Sequence, residues 1–213
     1  MPPSLNQDDA VTAANPIPNI LTGLRLFAGV IMFLILAGAA PGGIPFVLDP
    51  NDAFALNRVA FIIFVVAAST DWIDGYLARR WNAMTRWGAI LDPIADKVLV
   101  TGAILGLLAT GSLPQIAIPS GLILFREFAV SALRETTAGR VELKVTLLAK
   151  WKTTLQLVSL GALLLAQLWQ GFGLPGEHQA AFETFAYMLI WVAAIVTLIT
   201  GWQYFSEARR QMA

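Results

Sequence analysis

Residues 71–96 read DWIDGYLARRWNAMTRWGAILDPIAD. In an otherwise largely apolar setting they carry two aspartate pairs, Asp71/Asp74 and Asp92/Asp96, joined by a turn with Arg79, Arg80 and Arg86. Residues three or four apart stand on one face of a helix, so each pair projects both carboxylates to the same side. Two helices joined by so short a turn run antiparallel, which brings the pairs together at one end of a hairpin. Four carboxylates gathered there repel one another strongly unless cations hold them. Oxygen-only ligands suit hard divalent ions such as Mg²⁺ or Mn²⁺ rather than zinc or copper.

Composition sets the solvent for this hairpin. Of the 213 residues, 57% are hydrophobic and only 13% charged, with a mean hydropathy of +0.67, above what a soluble globule carries. The chain reads as an all-α polytopic membrane protein. Its net charge of zero says little, because placement of charge matters more than the sum in a membrane. The absence of cysteine excludes disulfides and thiolate metal sites. The start of the chain is polar, with Asp8 and Asp9 and no Lys or Arg, which a cleaved signal would need; residues 1–16 read as a retained tail, either a short interfacial helix or disordered.

Six apolar segments follow, at about 20–40, 54–79, 88–110, 114–136, 147–170 and 180–204, each near the roughly 20 residues that cross about 30 Å of hydrocarbon. Gly/Pro-rich or polar turns separate them, leaving no room for a soluble domain, so residues 1–213 read as one membrane domain with six transmembrane helices. No internal repeat argues for a duplicated transporter. Connections 41–53, 111–113 and 171–179 lack Lys and Arg, whereas Arg80, Arg86, Arg140, Lys144, Arg209 and Arg210 lie in the other connections and the tail. Basic residues stay on the cytoplasmic side, so both termini and the aspartate-bearing end are expected there, with Arg58 the exception.

An ionisable residue at the centre of a span costs about 2.5–3.5 kcal/mol on insertion scales, which makes each a functional candidate. Beyond the aspartates these are Lys97, Arg126, Glu127, Arg134, Lys150 and Lys152. Arg126 and Arg134 lie eight residues apart, on roughly one side of a helix at different depths. With Lys150 and Lys152 they form an expected cationic funnel beside the carboxylates, suited to phosphate. Arg126 and Glu127 are open to a second reading as a structural buried pair, although neighbours in sequence point apart on a helix and do not readily pair. Gly102, Gly106, Gly111 and Gly121 read as helix-packing positions, and His178 as a loop residue without a role.

The run Asp71-x-x-Asp74-Gly75-x-x-Ala78-Arg79, eight further residues, then Gly88-x-x-x-Asp92-x-x-x-Asp96 resembles the signature of the CDP-alcohol phosphatidyltransferases, membrane enzymes of phospholipid synthesis. Pro18 to Thr22 with Arg25 resembles the opening of the first helix in these enzymes. Arg126-Glu127 with Arg134, and Lys150-Trp151-Lys152-Thr153 with Gln156, resemble the phosphatidylglycerophosphate synthase branch. Ala149 departs from the glycine usual there, and Gly29 from a frequent proline. The resemblance covers most of segments one to five; segment six adds only hydrophobicity.

The resemblance implies that Asp71, Asp74, Asp92 and Asp96 hold two divalent cations, Mg²⁺ or Mn²⁺, with Asp96 also taking the proton of the attacking hydroxyl. It further implies contacts to CDP-diacylglycerol from Asn19, Thr22, Gly75, Ala78, Arg79, Thr85 and Gly88. If the acceptor is glycerol 3-phosphate, Arg126, Arg134, Lys150 and Lys152 supply the charge its phosphate needs. Inositol phosphate is the nearest competing acceptor, with serine and phosphatidylglycerol also open. A cation transporter is the alternative from another class, but it would spread acids through the bilayer instead of collecting them at one side. The expected setting is a bacterial cytoplasmic membrane, among membrane lipids, as a homodimer, with no nucleic-acid partner.

Overall fold

The computed structural model describes residues 17–43, 50–81, 86–137 and 147–212. Among them six α-helices run in chain order: α1 (Ile17–Ala39), α2 (Pro50–Trp81), α3 (Arg86–Ala109), α4 (Ala117–Thr136), α5 (Leu147–Gln167) and α6 (Gln179–Met212). There is no strand among these residues. By length and composition four stretches can cross a membrane: Asn19–Ala39, Asp52–Thr70, Pro114–Thr136 and Gly176–Met212. The polar residues of α3 include Asp92, Asp96 and Lys97 close to its start, which dilute its hydropathy. The last helix is longer than its apolar run predicts: 34 residues rise about 51 Å, well past about 30 Å of hydrocarbon. Its final turns carry Glu207, Arg209 and Arg210.

The interior and the exterior of the bundle are both apolar. Met32, Leu36, Phe64, Leu99, Ile104, Leu107, Ile123, Leu160 and Ile190 are buried in one core. Phe27, Ile118 and Trp202 are largely exposed, and Phe125 is 77% exposed. In water such a surface would aggregate; against acyl chains it is the stable arrangement.

Helices α1 and α3 lie parallel and close. Thr22 meets Asp92, Arg25 meets Asp96, and Leu36 meets Gly106, all at separations near 70 residues. The approach is possible because side chains are missing at the contact. A Cβ on Gly102 would lie 2.9 Å from the Gly29 carbonyl oxygen, and one on Gly106 would lie 2.5 Å from Leu36 Cδ1. The two other glycines read as packing positions differ. Gly111 ends α3 with φ +65°, a conformation that favours glycine, and Gly121 has open space where a Cβ would stand.

Candidate active site

The first turns of α1 meet the first half of α3. From α1, Thr22 donates its hydroxyl to Asp92 Oδ1, and Arg25 Nη1 lies 3.0 Å from Asp96 Oδ1. The Arg25 side chain is 1% exposed and that of Asp96 40%, so the cation sits beneath the acid and the acid faces outward. Pro93, between the two aspartates, withdraws one backbone N–H from the α3 ladder. Asn19 is half-buried one turn before Thr22, and Gly88 is buried near the start of α3.

The other half of the acidic set is only partly described. α2 is helical through Asp71, Asp74, Gly75, Ala78 and Arg79, but their side chains lie outside the described residues, as does that of Lys150; Thr85 lies outside them altogether. Among the described residues no three acids gather as metal ligands. Asp92 and Asp96 offer hard oxygen donors one turn apart, a donor chemistry that fits a divalent cation and no soft metal.

A second cluster occupies α4, α5 and α6. Arg126 is buried; its Nε donates to the Thr197 carbonyl at 2.9 Å and its Nη2 to Thr200 Oγ1 at 3.0 Å. The Gly201 backbone makes room for it, since a Cβ there would lie 2.8 Å from Arg126 Cγ. Arg134 Nη2 donates to Tyr204 Oη at 2.9 Å, and the guanidinium groups of Arg134 and Arg126 stand 5.1 and 5.7 Å from the Tyr204 ring centroid. Lys152, also buried, reaches Glu127 Oε1 from α5 at 2.5 Å.

Two expectations need correction. For Arg126 and Glu127 the second reading holds: they pair, Nη1 to Oε1 at 3.3 Å. Adjacent helical residues diverge at Cβ, but α6 pins the Arg126 head from one side while Lys152 draws Glu127 toward α5, and both side chains are long enough to meet. Nor does the last helix add only hydrophobicity. Thr197, Thr200 and Tyr204 fall at i, i+3 and i+7, a narrow polar stripe on an apolar helix, and that stripe is what receives the arginines. The stripe was present in the sequence as the signal for these missed residues.

A cavity of about 590 Å³ joins the clusters, with Asp96, Lys97, Arg126, Glu127, Arg134 and Lys152 on its wall. It thus brings together one predicted metal ligand and three of the four predicted phosphate-binding cations. Asn19, Thr22, Gly88 and Asp92 lie on the α1–α3 side and do not line it.

The family model for CDP-alcohol phosphatidyltransferase matches residues 15–199. Relatives named CDP-diacylglycerol--glycerol-3-phosphate 3-phosphatidyltransferase include one from Cereibacter sphaeroides, 39% identical over 90% of this chain and 95% of the relative. One from Rickettsia felis is 37% identical over 91% and 96%, and one from Bacillus subtilis 35% over 90% and 94%. A signature of aspartates on α2 and α3, an all-helical membrane bundle and this extent of similarity agree: the chain belongs to the CDP-alcohol phosphatidyltransferase family.

Proposed function

We propose that this protein transfers the phosphatidyl group of CDP-diacylglycerol to sn-glycerol 3-phosphate, giving phosphatidylglycerophosphate and CMP. The observation that carries the reading is the cavity in which Asp96 shares a wall with the buried cations Arg126 and Lys152 and with Arg134. An acceptor held there by its phosphate turns its hydroxyl toward Asp96. That hydroxyl oxygen bonds to the lipid-side phosphorus, the bond to the CMP oxygen breaks, and the hydroxyl proton passes to Asp96. Two Mg²⁺ or Mn²⁺ ions, held by Asp71, Asp74, Asp92 and Asp96, supply charge neutralisation of the diphosphate and of the leaving oxygen when bound. Arg25 and Thr22 orient Asp96 and Asp92 from beneath. Asn19, Gly75, Ala78, Arg79, Thr85 and Gly88 are the remaining proposed contacts to the CDP part, and Lys150 joins Lys152 at the acceptor phosphate.

The reading also assigns six transmembrane helices in one domain, a cytoplasmic active site and cytoplasmic termini in a bacterial inner membrane, and a homodimer. CMP release from CDP-diacylglycerol by purified protein, measured across a panel of acceptors, tests it. Turnover with glycerol 3-phosphate is expected; turnover with inositol phosphate or serine but none with glycerol 3-phosphate refutes it.

A further inference from the structure

The cationic wall of the cavity carries its own anion. Glu127 Oε1 accepts from Lys152 Nζ at 2.5 Å, from Arg126 Nη1 at 3.3 Å and from Gln156 Nε2 at 3.3 Å. Donors from α4 and α5 therefore converge on a single carboxylate oxygen. The other faces of these donors are committed to α6: Arg126 Nε and Nη2 to Thr197 and Thr200, and Gln156 Nε2 to Thr197 Oγ1 at 2.9 Å. Arg126 and Lys152 share the cavity wall with Lys97, Arg134, Asp96 and Glu135, and both are held by Glu127, through Nη1 and Nζ. Two buried cations in a membrane bundle are costly without a counter-charge, and Glu127 offsets one of them.

We infer that Glu127 is an internal counter-anion that the acceptor's phosphate must displace from Lys152 and Arg126, so that this carboxylate sets the affinity for the acceptor and selects for a phosphate dianion. The inference rests on the reading of the cavity as the acceptor site. A neutral alcohol has no charge with which to dislodge a carboxylate from an ammonium group in hydrogen-bond contact. A carboxylate-bearing acceptor merely exchanges one anion for its equal. A phosphate monoester, with up to two charges and three acceptor oxygens, gains more from the same donors than Glu127 does. Arg134, tethered to Tyr204 on the same wall, adds a further cation that the described contacts do not pair with Glu127. Glu127 thus acts as a specificity residue, not a catalytic one.

Glu127→Gln keeps the shape and removes the charge. In wild-type and variant protein purified in phosphate-free detergent buffer, two quantities are measured: steady-state KM values for both substrates, and the rise in melting temperature with inorganic phosphate. The expected result is a KM for glycerol 3-phosphate lowered by about tenfold, the loss of one competing charge interaction, with the KM for CDP-diacylglycerol unmoved. Phosphate is expected to raise the melting temperature of the variant more than that of the wild type. A KM for glycerol 3-phosphate that rises or stays, or a phosphate response no larger in the variant, overturns the inference. A variant that folds only when phosphate is present supports it, and one that folds under neither condition overturns it. If wild-type protein releases no CMP with glycerol 3-phosphate, the proposed function falls, and the phosphate titration still judges Glu127 separately.

Discussion

Arg25 and Asp96, 71 residues apart in sequence, form an ion pair of 3.0 Å in which the arginine is buried and the aspartate is open to the cavity. A cation beneath a carboxylate proposed to bind metal does two opposing things: it orients the acid, and it competes with the metal for it. Arg25→Met retains most of the buried volume and removes both effects. A charge-assisted hydrogen bond is worth about 1.5–3 kcal/mol, so kcat is expected to fall by roughly tenfold or more. The Mn²⁺ concentration for half-maximal activity is expected to fall as well, because a competing charge has gone. Metal titrations of CMP release check both, and an unchanged kcat shows that Asp96 needs no orienting partner.

Chelator treatment is expected to abolish CMP release, and Mg²⁺ or Mn²⁺ to restore it. Asp92→Asn and Asp96→Asn each remove a charged oxygen donor from the proposed metal site. With several kcal/mol of charge stabilisation at stake, each is expected to lower kcat by about a hundredfold or more. Circular dichroism should report unchanged helix content, which separates lost chemistry from lost fold.

Tyr204→Phe keeps the aromatic ring near both arginines and deletes the hydroxyl that Arg134 donates to. A hydrogen bond from a charged donor is worth about 1.5–3 kcal/mol, so the KM for glycerol 3-phosphate should rise by roughly tenfold or more. Gly201→Ala acts on the neighbouring arginine, because its Cβ would intrude on Arg126 Cγ at 2.8 Å. It is expected to raise the same KM while leaving that for CDP-diacylglycerol in place. Steady-state kinetics with each substrate varied in turn decides the matter.

The parallel contact of α1 with α3 depends on absent side chains, which makes it sensitive to a single methyl group. Gly106→Ala sets a Cβ against Leu36, 2.5 Å from Cδ1 and 2.7 Å from Cβ. Overpacking of this kind costs about 1–3 kcal/mol, so the melting temperature in detergent is expected to drop by several degrees. Gly121→Ala, which meets nothing within 4 Å, is the control and should melt as the wild type does.

Much of the architecture was legible because bilayer physics writes itself into one dimension. Apolar runs between turns mark the helices to within a few residues, save α6, where the helix continues through polar residues that the hydropathy pattern excludes. The aspartate spacing and the basic residues of the spans singled out the candidate site for the same reason, since charge in an apolar span is conspicuous, and Asp96, Arg126, Arg134 and Lys152 share one cavity. Two things were not legible. The pairing of Glu127 with Arg126 was only the second reading, because helical geometry alone sends neighbours apart and the pull of α5 and α6 on their heads is not local. Segment six read as hydrophobic alone, because the three hydroxyl-bearing residues of its polar stripe acquire meaning only from what faces them.

The sequence by itself determined an all-helical membrane chain with acids and bases collected toward one end of its helices, since those features follow from hydropathy, 3.6-residue periodicity and the cost of charge in hydrocarbon. Tertiary structure alone decided which cation meets which partner. Arg25 lies under Asp96, Arg126 is clamped by α6, and Lys152 is held by Glu127, each contact spanning 25 to 74 residues of chain. Long side chains can reach several partners, and only the packing distance between helices selects among them.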